Sequence, residues 1–207
     1  MEIVKYFNYN SIVILTMFFI SLVEIILDRL TGGLITKAFF ASGRGSPINP
    51  MTYIKMFTHC LGHMDWGHFS RNYMKILLLG PIIEEKYGLV NLLIMILITS
   101  FVIALVNMLR GGNKIVGASG ISFMLVVLSS IVNITDNRIP LTFILILIFY
   151  ITDEIIDVIG SSRDGVSHLS HLVGAVCGGI FGFICVNQEL STYLLEFKNT
   201  FINWKIM

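Results

Sequence analysis

"SHLSHLVGAVCGGIFGFICV", Ser167 to Val186, is the stretch on which the fold turns. Gly174, Gly178 and Gly182 recur at spacings of four. On a helix they share one face and leave a groove into which a neighbouring helix can settle at backbone contact. His168 and His171 open the same apolar run, and a histidine inside a membrane span is a functional hypothesis by default. The natural occupant of the groove is "GASGISFMLVVLSS", Gly117 to Ser130, where four small residues precede membrane-grade hydrophobes. Two small-residue faces packed together would bring Ser119 Oγ within hydrogen-bond reach of the His171 imidazole.

The surrounding chain has the composition that such a reading needs. Of 207 residues, 55% are hydrophobic and 13% charged, against about 25% charged in soluble domains. Mean hydropathy is +0.82. Windows of about 20 apolar residues mark six candidate spans at 9–27, 68–86, 90–109, 117–134, 139–157 and 168–187. The expected fold class is therefore an all-α membrane protein, a six-transmembrane-helix bundle with a long, partly membrane-embedded first loop over residues 28–67. Residues 1–187 read as one membrane domain. In 188–207, Leu190, Leu194, Phe197, Phe201 and Trp204 repeat at helical spacing, which fits an interfacial amphipathic tail. The first apolar run continues into Glu24 and Asp28 without a small-residue cleavage site, and so reads as a retained span. A net charge of +1 points to no nucleic-acid partner. Cys60, Cys177 and Cys185 make neither a CxxC pair nor an even set.

Direction along the chain then collects the chemistry. Spans two, four and six run the same way, so "HMDWGHFSRN", "GASG" and "SHLSHLVG" share one membrane face. Ser119 falls in the first turn of span four, where unpaired amides and the helix dipole can hold a developing oxyanion. A serine needs a base, and a histidine of ordinary pKa suits that role. His171 is favoured over His168 because Gly174 lies three positions beyond it. His68 and Asn72, four apart on span two, are both able to donate toward negative charge. Each motif alone also reads as structure: GxSG as helix packing, and the histidine as bonded to a backbone carbonyl. His59, His63 and His68 would make a poor zinc set, mixing loop and span without HExxH, so no metal and no cofactor is expected.

In order and spacing, "FTHCLGHMDWGHFSRNYMKILLLGPIIEEKYG", "GASG" and "HLVGAVCGGIFG" resemble the rhomboid intramembrane serine proteases, over almost the whole chain. The resemblance implies a water-filled cavity opening to the outer side of the membrane, and the retained hydrophobic spans with no transit segment favour a bacterial plasma membrane. The resemblance also implies transmembrane protein substrates within the lipid bilayer, cleaved by a Ser–His dyad. Ser119 would be the nucleophile and His171 its base, with His68, Asn72 and the Ser119 N–H as oxyanion hole. Gly117, Gly120, Gly174 and Gly178 would support them, Phe123 would stack on the histidine, and Glu84 would brace span two and the long loop. From position alone, span five and "DEIIDVIGSSRDGVS", with Asp153, Glu154 and Asp157, read either as a mobile gate and cap or as a solvated acidic loop end. Departures from the family pattern are Arg71 and Lys75 inside span two, Ser170 in place of alanine, and no Trp-Arg pair in the long loop. Basic residues also favour the outer segments, opposite to the positive-inside expectation. The alternative reading is a catalytically inactive rhomboid-like scaffold that binds membrane helices.

Overall fold

A computed structural model describes residues 11–111, 113–131 and 168–186, with five positions between 141 and 152. Apart from those five positions the expected gate lies outside the described residues, as do its acidic loop and the C-terminal tail. The described chain is helical. It comprises α1 (Ile12–Leu30), α2 (Pro50–Thr58), α3 (Trp66–Tyr87), α4 (Leu89–Leu109), α5 (Ser119–Ile131) and α6 (His168–Val186). A π-helical turn, Thr36–Phe40, and a 3₁₀ turn, His59–Leu61, lie in the long connection between α1 and α3.

Two helices, Leu89–Leu109 and His168–Cys185, are long and apolar enough to cross a bilayer. The expected count of six spans is not reached among the described residues. One reason is physical: α1 carries Glu24, Asp28 and Arg29, and α3 carries Arg71, Lys75, Glu84, Glu85 and Lys86.

The bundle is apolar outside, and its core mixes polar side chains with apolar ones. Ser21, Ser100, Asn107, Ser122 and Ser130 are buried and hydrogen-bonded, whereas Leu93, Ile98, Leu172, Val176 and Phe183 are exposed. In water that distribution would be unfavourable, but lipid makes it the stable one, because buried polar groups find partners while leucines face hydrocarbon.

Glycine sets the closest approaches. A Cβ built on Gly174 would stand 2.1 Å from the carbonyl oxygen of Gly120, and one on Gly178 2.4 Å from that of Met124. Helices α5 and α6 are therefore in backbone contact along the stripe read from the sequence, as dispersion-driven packing in a membrane requires. On the other side of the bundle, a Cβ on Gly80 of α3 would meet Ile14 of α1 at 2.5 Å.

Side-chain hydrogen bonds anchor α1. Buried Glu84, near the end of α3, accepts from Ser11 Oγ and from the Val13 amide at 3.3 Å. This corrects the expectation that Glu84 braces span two against the long loop: it ties α3 to the first turn of α1, where a carboxylate complements free amides and the helix dipole. The long connection is held by other acids. Asp28 Oδ1 accepts from the Thr36 amide at 2.8 Å, and Glu24 accepts from Thr36 Oγ1 at 2.5 Å and the His63 amide at 3.1 Å.

Candidate active site

Helix α3 starts where Asp65 caps it: Oδ1 accepts from the His68 amide at 2.8 Å. That bond is the main reason the Asp65 carboxyl lies below the usual carboxylate range. The cap places His68 in the first turn and Asn72 one turn deeper, on one stripe. Asn72 is buried, and its Nδ2 makes no hydrogen bond among the described residues. The same holds for His68 Nδ1. A buried amide nitrogen and a buried ring nitrogen, each without a hydrogen-bond partner among the described residues, call for an explanation, since each forfeits a hydrogen bond.

The long connection positions the start of α5. Ser42 and Ile115 exchange backbone hydrogen bonds of 2.9 and 2.7 Å, and the Gly117 amide donates to the His59 carbonyl at 2.8 Å. Gly117 has φ +126°, and a Cβ there would stand 2.4 Å from Cε1 and 2.8 Å from Nε2 of His68. Only glycine meets both demands. The His68 imidazole thus lies against the backbone two residues before Ser119, the first residue of α5.

Helix α6 approaches the same turn. A Cβ on Gly120 would stand 2.9 Å from the Ser170 carbonyl oxygen. Ser119 and His171 are the chain neighbours of these two residues, so both flank one backbone contact. Both are half-buried. The His171 ring stacks on Phe123 with centroids 4.3 Å apart and planes 9° from parallel. His168 stands edge-on to His171, with centroids 6.3 Å apart. These contacts join His68 to Gly117, Gly120 to Ser170 and Gly174, and Phe123 to His171 near the N-terminal ends of α3, α5 and α6, while Gly178 packs on Met124 further along α5. Glu84 lies at the other end of α3.

Two histidines whose roles the sequence left open are structural neighbours of this cluster. His59 is buried, and its Nε2 meets the Ser100 carbonyl at 2.9 Å. A carbonyl only accepts, so Nε2 carries the proton and bridges the long connection to α4. By the same logic His63 Nδ1 donates to the Leu61 carbonyl at 3.3 Å, and its ring lies 5.3 Å from that of His68. Burial pushes both down, His59 to about 4 and His63 to about 3. No group of three or more potential metal ligands converges among the described residues.

Lys75 and Arg71 were the other open positions. Lys75 Nζ lies 5.5 Å from the Phe123 ring centroid, an aromatic partner that no spacing rule in the sequence identified. Arg71, four residues earlier, is exposed near the start of α3.

A helical bundle with lipid-type surfaces, presenting a serine, imidazoles and a carboxamide at one end, is the architecture of an intramembrane hydrolytic site or of a scaffold descended from one. The Rhomboid domain family model matches residues 50–188, from α2 to just beyond α6. The chain belongs to the rhomboid family, and is an integral membrane protein. No curated protein matches it.

Proposed function

We propose that the protein is an intramembrane serine endopeptidase that cleaves within or beside the transmembrane helices of single-pass proteins. The supporting observation is the glycine contact between α5 and α6, which brings the turn bearing Ser119 against the turn bearing His171. In this reading His171 takes the Ser119 proton as Oγ attacks the scissile carbonyl. The oxyanion forms beside the Ser119 amide, one of the first-turn N–H groups that lack an intrahelical acceptor. Asn72 Nδ2 and His68 supply the further donors, a reading supported by Asn72 Nδ2 and His68 Nδ1 making no hydrogen bond among the described residues. His171 then returns the proton to the leaving amine, and water hydrolyses the acyl-enzyme by the same route in reverse.

In this reading residues 1–187 form the domain that carries the site. The site opens to the outer side of a bacterial plasma membrane.

The test is an activity-based probe together with a transmembrane substrate. Purified wild-type protein should be labelled by a fluorophosphonate and should cleave, while folded Ser119→Ala should do neither. A wild type that folds yet takes no label and cuts nothing would support the inactive-scaffold reading instead. Label retained by Ser119→Ala would place the nucleophile elsewhere.

A further inference from the structure

Lys75 has no part in the chemistry just described, and its position is costly. A lysine half-buried in the helical bundle of a membrane protein is tolerated where it finds an electrostatic partner inside that bundle. Lys75 is half-buried on α3, three residues beyond Asn72 and so nearly one turn deeper on the same side. Its Nζ is 5.5 Å from the Phe123 centroid, inside the range of about 6 Å over which an ammonium is drawn to the negative face of an aromatic ring. Phe123 is also the ring stacked on His171, at 4.3 Å and 9°. Helix α5 packs against both α3 and α6, so Phe123 is the side chain through which a charge on α3 reaches an imidazole on α6.

The consequence concerns geometry at the dyad. A phenyl ring held only by dispersion swings readily about its terminal torsion, whose wells are broad. An ammonium over its π-cloud deepens one well, and the ring stacked on it inherits that restriction. We propose that Lys75 is a positioning residue: its charge pins the Phe123 ring, and the pinned ring holds His171 in the orientation that proton transfer from Ser119 requires. Catalytic geometry is sensitive at this level, since a misplacement of about 1 Å can cost about 10²-fold in rate. The inference rests on the Ser119–His171 reading above.

A double-mutant cycle in the purified full chain tests it. Lys75→Met keeps the length of the side chain and removes the charge, whereas Lys75→Arg keeps the charge. Each is made with Phe123 and with Phe123→Leu. Lys75→Met should lower kcat about 3- to 30-fold with KM unchanged, the span expected from a cation–π contact of partly desolvated type. Lys75→Arg should restore most of the rate. In the Phe123→Leu background, Lys75→Met should cause no further loss. The same cycle read as thermal unfolding midpoints needs no turnover, and should be non-additive too. Additive losses in both readouts, or an arginine variant as slow as the methionine one, overturn the inference. A wild type that neither cleaves nor takes the probe overturns the protease reading, while the thermal cycle still decides whether Lys75 acts through Phe123.

Discussion

Replacing Gly174 with alanine adds a single methyl group, and the surroundings determine what that methyl does. The new Cβ would stand 2.1 Å from the Gly120 carbonyl oxygen, 2.8 Å from its carbon and 3.0 Å from its Cα. All three are backbone atoms of a helix, so no side-chain rotation relieves the overlap. Reaching the 3.4 Å at which ordinary contact begins requires α6 to withdraw from α5 by about 1.3 Å. Overpacking of this kind costs about 1–3 kcal/mol, so the thermal midpoint in detergent should fall while the protein still folds. The displacement also moves His171, three residues away, relative to Ser119. A shift of that size should reduce kcat by about 10²-fold. Gly179→Ala is the matched control: nothing lies within 4 Å of its built Cβ, and alanine is favoured over glycine in a helix interior by about 0.5–1 kcal/mol. Turnover and unfolding are measured on both proteins with a single-pass substrate. Wild-type kcat and stability in Gly174→Ala would refute the claim that backbone contact at this point assembles the site.

Other perturbations separate catalysis from architecture. Asn72→Ala should lower kcat by about 10²-fold, as loss of one oxyanion donor does, without lowering the unfolding midpoint, because Nδ2 makes no hydrogen bond among the described residues. Steady-state kinetics alongside calorimetry decides this, and an unchanged kcat would remove Asn72 from the oxyanion hole. Glu84→Ala should do the reverse, destabilising the start of α1 by about 1–3 kcal/mol while the folded protein keeps its kcat, as seen by thermal unfolding and turnover on the same sample. Stability should also depend on pH. Burial depresses His59 to about 4 and His63 to about 3 in the folded state, against about 6.5 when unfolded. The unfolded chain therefore binds more protons below that value. The stabilisation from keeping these rings neutral is complete above pH about 6.5 and declines as pH falls toward the folded values, by at most about 1.4 kcal/mol per unit for each ring. Unfolding midpoints measured from pH 7 to 4 should fall, and His59→Gln should flatten part of the slope.

Much of the arrangement was legible before any coordinates. The four-residue glycine repeat of α6 specifies a face by itself, because helical periodicity is local. Chain direction then placed the starts of α3, α5 and α6 together, and the contacts among Gly117, His68, Gly120 and Ser170 are those of that arrangement. Helix bounds followed hydropathy closely, with α3 over Trp66–Tyr87 where 68–86 was expected and α4 over Leu89–Leu109 where 90–109 was expected. Asp65 as the cap of α3 was missed, although an acid just ahead of "WGHF" is a recognisable start signal.

Other features exist only in the tertiary structure. That His59 bridges to Ser100, that Glu84 holds the first turn of α1 and not the long connection, and that Lys75 meets Phe123 all depend on pairs 41, 73 and 48 residues apart. Periodicity reports which way a side chain faces on its own helix, but the group it meets is set by how closely and at what depth two helices cross. In this bundle glycines govern that closeness, and the sequence alone determined where they stand. The registers that follow, and with them the partners of the buried charges, were decided only when the helices packed.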